Sequence, residues 1–463
     1  MEKRNCVLGI DLGTSSVKIL KKYKDGSVEK LKNTYEDCLP KGWWSAIEAL
    51  LEKVSWEEVT AVGLTSQVGT YLVNDTHIIG WNENVGKTEL LWWKEHFEQE
   101  IFVEEISMPH PDIISYPLPR LKYIVENFHD IKRICQPKEY ILEKLTGQWV
   151  TDEYSWRGLC HLETKKYSSR FLEELGLEDS LLPPIKSYGE MAGYTKEQTL
   201  GKVKIPAGIP VFLGLNDYYS GLLGMGVKSP GQMFDVTGTS EHLGILQKTM
   251  VKNSSLVTGP YIKNVVHYGV TASSGPSIKY GLKMEENLPD RFLMNEIVEK
   301  KPPIFLPYLK GERAPIWNGA ARGVFFGIEE KCTAGEMLYS VLEGVVFSLY
   351  HIYETMGKPG VEKITVSGGA AEIAVLNQLK ADVFKTTIEV VEESDVSALG
   401  ACMVAAVGLG WFENLEQGMD QWIKISAIYQ CTQGYEEWFE KRFQLYKELY
   451  ERLKPLFETW KTM

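Results

Sequence analysis

Three short glycine-containing turns follow predicted buried strands, in the segments DLGTSS, TGTS and VSGGA. Backbone N–H groups and hydroxyls in such turns can bind anionic oxygens, and glycine lets a flat ring or a ribose approach the backbone. Asp11 in the first turn could hold Mg²⁺, directly or through water. Each turn alone could be an ordinary hairpin turn, but three of them fit a nucleotide held between two domains. Their candidate ligand-binding residues are Asp11, Gly13, Thr14, Ser15, Gly238, Thr239, Gly368, Gly369 and Ala370.

A further acid, Asp217, lies in GLNDYYSGLLG, after an apolar strand and before a helix of small and apolar residues. An acid at this position could cap the N-terminus of the helix. It could also face a cleft and act as a general base. The residues around Asp217 leave both interpretations open.

The segment GWNENVGKT, Gly80 to Thr88, is similar to a P-loop, but it has five spacer residues where that motif has four. In a P-loop, successive backbone N–H groups surround the phosphates, and the extra residue would displace them. Glu83 also puts a negative charge where phosphate would lie. We therefore expect a strand, a loop and a helix that starts near Lys87.

Length and composition predict a two-domain globular protein. The chain has 463 residues and a net charge of −12, from 62 acidic and 50 basic side chains. The length exceeds what one core usually serves, and the charge opposes non-specific binding to nucleic acid or to an anionic membrane. The seven cysteines are scattered without a C-x-x-C pair, which disfavours a disulfide framework and a zinc site. No signal peptide or membrane-spanning apolar run is visible, so we expect a cytoplasmic protein.

The predicted elements follow a similar order twice. Near the N-terminus, the strands CVLGIDLG, SVKILKKY and SVEKLKNTY precede the helix GWWSAIEALLEKV and the strand VTAVGLTS. After Gly224 the order restarts with QMFDVTGTS, EHLGILQ, the long buried helix AGEMLYSVLEGVVFSLYHIYETM and KITVSGGA. This predicts two related α/β domains, 1–224 and 225–463, the second ending in an amphipathic surface helix.

Several longer segments resemble the FGGY family of carbohydrate kinases, within the actin-like ATPase superfamily. GVFFGIEEKCTAGEMLYSVLE fits the family's C-terminal signature at every specified position, and LPYLKGERAPIWNGAARG before it is similar to another family segment. SYPLPRLKYIVEN resembles the N-terminal signature, with Arg120 for the usual lysine and Tyr123 for the usual tryptophan. The resemblance runs from about Leu8 to Trp411. It implies two actin-like (ribonuclease H-like) domains flanking a central catalytic cleft.

The resemblance also implies ATP-dependent phosphorylation of a small sugar, polyol or sugar acid, with Mg²⁺. Asp217 matches the catalytic aspartate that accepts the proton of the attacking hydroxyl, and Asp11 matches the acid that organises Mg²⁺. The matches for ATP are Gly13, Thr14 and Ser15 at the terminal phosphates, Gly238 and Thr239 in the second phosphate turn, Gly275 along the nucleotide, and Gly368, Gly369 and Ala370 at the adenosine. The predicted sugar-binding residues are Gln67, Trp81, Asn82, Glu83 and Asn216.

The particular sugar is not specified by these motifs. Gln67-Val68-Gly69-Thr70 replaces the Gln-Met-His-Gly of xylulokinases, and the Arg-Glu pair of glycerol kinases is also absent. GERAPIWN is most similar to the gluconokinase-type branch, although that segment lies on the ATP side. We expect a polyol, ketose or aldonate, with gluconate or a ketopentose favoured. Glu241 and His242 in TGTSEH could contact the substrate or lie on the surface.

Two other classes of protein deserve comparison with a sugar kinase. A regulatory nucleotide-binding protein without transfer activity would be expected to lose Asp11 or Asp217, and this chain keeps both. Actin-like and heat-shock ATPases share the phosphate turns but lack the GVFFGI…SVLE signature. A homodimer is an expectation from the family alone, and neither nucleic acid nor a membrane is expected as a partner.

Overall fold

The computed structural model describes residues 5–35, 39–108, 113–201, 203–250 and 255–463. The chain forms two compact units: Met1–Gly226 with Asp395–Trp422, and Val227–Ser394 with Ile423–Met463. The described cysteines are all free, and Cys38 lies outside the described residues. No helix in the described ranges is long and apolar enough to cross a membrane.

The α-helices of the described ranges follow in chain order. They are α1 Pro40–Leu51, α2 Lys87–His96, α3 Gln99–Ile106, α4 Pro117–Asn127, α5 Pro137–Thr146, α6 Ser169–Leu175, α7 Asp217–Gly224, α8 Ser274–Gly281, α9 Met294–Lys300, α10 Ala334–Thr355, α11 Ala374–Phe384, α12 Val396–Gly408, α13 Leu415–Trp422 and α14 Glu436–Lys461. Short 3₁₀ helices span Trp56–Glu58, Asp179–Leu181 and Gly369–Glu372.

The strands alternate with these helices along the chain. They are β1 Cys6–Leu12, β2 Ser16–Tyr23, β3 Val28–Thr34, β4 Val59–Ser66, β5 Tyr71–Val73, β6 His77–Ile79, β7 Ile134–Cys135, β8 Thr151–Asp152, β9 Cys160–His161, β10 Lys166–Tyr167, β11 Ile185–Lys186, β12 Met191–Tyr194, β13 Gln198–Leu200, β14 Val203–Ile205, β15 Pro210–Leu213, β16 Met233–Thr237, β17 His242–Gln247, β18 Val257–Tyr261, β19 Asn264–Val270, β20 Ile304–Leu306, β21 Val324–Phe326, β22 Lys363–Gly368, β23 Thr387–Val391 and β24 Ile425–Tyr429.

The first unit is built on a six-stranded sheet in the order β12-β15-β4-β1-β2-β3. Strands β1, β2 and β3 form an antiparallel set, whereas β4 and β15 run parallel to β1. Every residue of β1 is buried, as expected for an apolar strand in the middle of a sheet. Helix α1 adds Trp43, Ile47 and Leu50 to this core at the spacing of one helix face. The predicted hairpin set joined to parallel strands is therefore confirmed.

The second unit contains a seven-stranded sheet in the order β18-β19-β17-β16-β22-β23-β24. Here β16, β17 and β19 are antiparallel, and β22 and β23 run parallel to β16. Both sheets therefore contain three antiparallel strands followed by two parallel ones. The two related domains predicted from the repeated order of elements share this strand arrangement.

The structure divides the chain differently from the predicted boundary in one respect. The boundary near residue 224 agrees with the end of the first unit at Gly226, but Asp395–Trp422 folds with the first unit instead of the second. Helix α12 in this segment packs closely on the first sheet. A Cβ atom on Gly9 would lie 2.0 Å from Ala398 O, and one on Gly63 would lie 2.0 Å from Ala401 O. The small residues of VSALGACMVAAVG are what allow this close approach.

The second unit is held by helices α10 and α14. Helix α10 begins with the capping box of Thr333 and Glu336, and its middle is buried. Glu343 of α10 accepts hydrogen bonds from Arg442 of α14 at 2.7 Å and 2.5 Å, and both side chains are buried. The predicted surface helix near the C-terminus is therefore only half exposed. One face of it belongs to the core of the unit.

The close packing of α12 predicts the effect of adding one methyl group at Gly400. A Cβ atom there would lie 1.9 Å from Ser220 O of α7. Overpacking costs about 1–3 kcal/mol, more than the roughly 1 kcal/mol that alanine gains over glycine in a helix. We expect Gly400→Ala to lower the urea midpoint followed by circular dichroism. Gly360→Ala, where a Cβ meets nothing within 4 Å, is the control. An unchanged midpoint for Gly400→Ala would contradict this packing.

Candidate active site

Asp11 lies near the end of β1, and the turn after it is held by its own backbone. Gly13 N donates to Ser16 O at 3.0 Å, and Tyr35 donates its hydroxyl to Gly13 O. The Asp11 side chain is buried, and its Oδ1 has no hydrogen-bond partner among the described residues. Burial, then the carboxylate of Asp217, raises the pKa of Asp11 to about 7, while Lys18 opposes the shift. Asp11 therefore offers an unused buried oxygen to a ligand.

Asp217 is the first residue of α7, and Asn216 is the residue that caps this helix. Asn216 Oδ1 accepts from Tyr219 N at 3.0 Å. The alternative role for Asp217 as the helix cap is thus filled by its neighbour. Asp217 Oδ1 accepts from Tyr218 N at 2.8 Å and the residue keeps some exposed surface. Burial raises the pKa of Asp217 to about 6, while the backbone N–H groups of Tyr218 and of Asp217 itself oppose this shift.

The ends of three neighbouring parallel strands bring the predicted sugar-side residues close to Asp11. Gln67, directly after β4, donates its N–H to Leu12 O at 2.8 Å. Thr65 of β4 donates its hydroxyl to Leu215 O at 2.8 Å, just before Asn216. The Gln67 side chain is buried, and its Oε1 has no hydrogen-bond partner among the described residues. Gln67 therefore presents a second unused acceptor.

Asn216 differs from Gln67, because both ends of its side chain are used. Its Oδ1 caps α7, and its Nδ2 donates to Tyr154 O at 3.3 Å. The structure therefore gives Asn216 a local role at the start of α7. Its contact with a substrate stays a prediction.

The segment GWNENVGKT is a tight turn and the start of a helix. Glu83 N donates to Gly80 O at 3.0 Å, and Gly80 N donates to Glu83 Oε1 at 2.6 Å. These amides are used inside the turn, and α2 starts at Lys87. The predicted strand, loop and helix that starts near Lys87 are confirmed.

The side chain of Trp81 connects this turn to the predicted phosphate turn that follows Asp11. Its indole N–H donates to Thr14 Oγ1 at 3.1 Å, and its backbone N–H donates to Thr70 Oγ1 at 3.1 Å. Trp81, Asn82 and Glu83 are all exposed. The first unit therefore places the predicted sugar-side turn next to the predicted phosphate turn.

Arg120 binds the carbonyl groups of the Gly80–Glu83 turn, a role that was not predicted from the sequence. Its Nη2 donates to Gly80 O at 3.1 Å, to Trp81 O at 3.2 Å and to Glu83 O at 2.9 Å. Arg120 is fully buried, and burial lowers its pKa. The one available signal was its place in the N-terminal signature, where it replaces the usual lysine.

In the second unit, the predicted phosphate turn Thr237–Ser240 contacts the start of α8. Gly275 N donates to Gly238 O at 3.1 Å, and a Cβ atom on Gly275 would lie 2.7 Å from that oxygen. Only glycine permits this approach without a shift of the backbone. Thr239 is exposed beside it.

Thr237 joins this turn to the predicted adenosine turn. Its hydroxyl oxygen accepts from Ala370 N at 2.9 Å and from Ala371 N at 3.2 Å. Gly368 has φ +100°, and a Cβ atom there would lie 2.1 Å from Thr237 O. A Cβ atom on Gly369 would meet nothing within 4 Å. The second unit therefore brings the predicted nucleotide residues into one cluster, with Thr237 as the link that sequence reasoning did not single out.

Glu241 and His242 were left open as substrate contacts or surface residues. Glu241 is fully buried and its carboxylate is bound by Lys380 and Ser274. His242 is half-buried, and burial, followed by the charge of Arg313, lowers its pKa to about 4. Glu241 is therefore neither a surface residue nor an open ligand group.

A pair of α/β units with these sheets and glycine turns is the architecture of an actin-like two-domain fold. Residues 6–224 match the model of the N-terminal domain of the FGGY family of carbohydrate kinases, and residues 234–409 match that of the C-terminal domain. The chain belongs to this family. The family's C-terminal model thus includes α12, which packs in the first unit.

Relatives cover nearly the whole chain. A xylulose kinase of Staphylococcus xylosus is 28% identical over 96% of this chain and 99% of its own. A solved gluconate kinase of Lactobacillus acidophilus superposes with a TM-score of 0.83 at 22% identity, over 99% of this chain and 100% of its own. A ligand-bound xylulose kinase of the same organism also gives 0.83 at 22%, over 98% and 100%. The predicted family and fold are confirmed.

Proposed function

We propose that this protein transfers the γ-phosphoryl group of ATP to a hydroxyl of a small sugar, polyol or sugar acid. The observation that carries the proposal is the pair of acids in the first unit, of which Asp11 is buried and Asp217 is half-buried. Asp217 stands at the start of α7 with a pKa raised to about 6, and Asp11 nearby keeps an unused buried oxygen. Two acids with perturbed pKa values at strand ends are typical of a catalytic site. The family supports the same reaction.

Asp217 is proposed as the general base. Its carboxylate would accept the proton of the sugar hydroxyl as that oxygen attacks the γ-phosphorus of ATP, and ADP would leave. A base works best with a pKa near the working pH. The burial that raises the pKa of Asp217 to about 6 provides this, while the N–H of Tyr218 fixes the carboxylate.

Asp11 is proposed as the group that organises Mg²⁺. Its unpartnered buried oxygen fits a hard cation or a water bound to it. No cluster of three or more His, Cys, Asp or Glu side chains suited to a metal occurs among the described residues. When bound, Mg²⁺ would neutralise charge on the phosphates.

The nucleotide would be bound mainly by backbone groups. We propose that the turn after Asp11 contacts the terminal phosphates and that the glycine turns at Gly238, Gly275 and Gly368 contact the nucleotide. Phosphoryl transfer needs positioning and charge stabilisation more than covalent chemistry, so such a set suffices. The proposed residues are Gly13, Thr14, Ser15, Gly238, Thr239, Gly275, Gly368, Gly369 and Ala370.

The sugar is proposed to bind at Gln67 and the Trp81–Glu83 turn. Gln67 Oε1 is buried and unpartnered among the described residues, so a sugar hydroxyl can donate to it. Trp81 offers an exposed ring, a surface on which the carbon face of a sugar can pack. Asn216 is a further proposed contact. The names of the relatives favour a ketopentose or gluconate, and we propose one of these as the acceptor.

The compartment and the oligomeric state of the protein are also proposals. The net charge of −12 fits a cytoplasmic enzyme that binds small molecules, with MgATP and a sugar as its ligands. A homodimer is proposed from the family alone. No observation favours the alternative of a nucleotide-binding protein without transfer activity, since Asp11 and Asp217 are both present.

The substitution Asp217→Asn tests the general base. It keeps the size of the side chain but cannot accept the proton, so kcat should fall by about 10²–10⁴. The thermal transition and MgADP binding should stay as in the wild type. Asp179→Asn, an exposed acid at the start of a 3₁₀ helix, is the matched control and should keep full activity. An Asp217→Asn variant with near-normal kcat would refute the mechanism.

The raised pKa of Asp217 predicts the acid limb of the activity profile. The base must be ionised, so kcat/KM, which reports the free enzyme, should fall by about tenfold per pH unit below the pKa of Asp217, which lies near 6. Mg²⁺ bound at Asp11 favours the charged form of that carboxylate and lowers the pKa of Asp11. At saturating Mg²⁺ the acid limb of the profile is therefore determined by Asp217. Steady-state rates from about pH 5 to about pH 8 give this profile. A rate that stays flat on the acid side would contradict it.

A further inference from the structure

A buried ionic network lies outside the proposed ligand contacts, in the second unit. Lys380 of α11 has its Nζ 2.5 Å from Asp235 Oδ2 and 2.5 Å from Glu241 Oε1. The three side chains are at most 2% exposed. Ser274 donates its hydroxyl to the other carboxylate oxygen of Glu241. Two acids therefore share one ammonium group inside the protein.

Such a network is poorly explained by stability. Taking ions out of water is costly, and apolar residues of similar volume often stabilise a core as well or better. The sequence could have placed apolar residues here, as it does elsewhere in the same core. Buried polar groups can instead specify one arrangement of the chain around them.

The network connects the parts of the chain that surround the phosphate turn Thr237–Ser240. Asp235 lies on β16 two residues before Thr237, and Glu241 follows Ser240 directly. Ser274 is the first residue of α8, next to Gly275, whose N–H binds Gly238 O. Lys380 thus holds the two ends of the turn together and, through Glu241, the start of the helix that contacts it.

The network also places a positive charge between its two acids. Burial, then the carboxylate of Glu241, raises the pKa of Asp235, against the opposing charge of Lys380. Asp235 Oδ1 has no partner among the described residues. The ammonium group of Lys380 therefore lies between two carboxyl groups next to the turn. It offsets negative charge there, and such charge would repel phosphate.

We propose that Lys380, Asp235 and Glu241 form a positioning network that fixes the Thr237–Ser240 turn and the start of α8 for binding nucleotide phosphates. The inference rests on the proposed function for the nucleotide, and adds three residues to it. These residues act through the turn and Ser274, and none of them is proposed to touch ATP.

The test measures MgADP binding by calorimetry, which needs no knowledge of the sugar. The double variant Lys380→Met with Glu241→Gln removes the Lys380–Glu241 ion pair and leaves Asp235, whose burial favours its neutral form. Its affinity for MgADP should be about tenfold weaker. The matched control is Lys363→Met with Glu389→Gln, a pair at 2.8 Å in the same unit whose lysine is half exposed, which should bind MgADP as the wild type does. A folded double variant with wild-type affinity would overturn the proposal, because a purely stabilising network would lower only the thermal transition.

A second variant covers the case in which the double variant does not fold. Ser274→Ala keeps the three charged residues and removes the link from Glu241 to α8. It should bind MgADP about threefold to tenfold more weakly, and unchanged binding would count against the proposal. Wild-type protein that binds no MgADP would overturn the nucleotide contacts and this inference together. Wild-type protein that binds MgADP but phosphorylates no sugar would overturn the kinase reaction alone.

Discussion

The candidate site depends on one constraint, which is that neighbouring parallel strands end at the same edge of a sheet. In the first unit β1, β4 and β15 are parallel neighbours, and Asp11, Gln67 and Asp217 lie at or just beyond their carboxyl ends. In the second unit β16 and β22 are parallel neighbours, with Thr237 paired to Gly368 at their ends. Ligands of open α/β sheets bind at this edge. The spacing of strands therefore gathers residues that lie far apart in sequence.

Close packing behind the sheet holds this edge in place. Helix α12 approaches β1 and β4 at Gly9 and Gly63, where any side chain would meet a carbonyl oxygen of the helix. The same helix meets α7, which begins at Asp217: Ser397 donates its hydroxyl to Asp217 O at 2.9 Å. The strand that carries Asp11 and the helix that carries Asp217 are thus packed against one common element. This element comes from residues more than 170 positions after Asp217, which explains why the first unit needs two stretches of chain.

Much of this could be predicted from the sequence, because the signals are local. Apolar runs that end in glycine gave the strands and turns around Asp11, Thr237 and Gly368, and the five-residue spacing after Gly80 excluded a P-loop. The unit to which α12 belongs could not be predicted. The small residues of α12 indicate close packing but do not show which sheet the helix packs against.

The residues that were missed have long-range partners. Arg120 binds carbonyl groups about forty positions earlier, so its spacing in the helix carries no sign of that role. Glu241 looked like an exposed or substrate-binding acid because its cation, Lys380, follows 139 positions later. Local patterns specify elements and turns, whereas side chains that join distant backbone segments are decided by the tertiary structure.

The central claim is that the chain transfers phosphate from ATP to a sugar hydroxyl. The most direct measurement is a coupled ADP-release assay with MgATP over D-gluconate, D-xylulose, L-xylulose, D-ribulose, L-ribulose, ribitol and glycerol, with the product examined by ³¹P NMR. The account predicts that one of the sugars, gluconate or a ketopentose, stimulates ADP release and appears as a phosphate ester. ADP release that no sugar in the panel stimulates, from protein that binds MgATP, would contradict it.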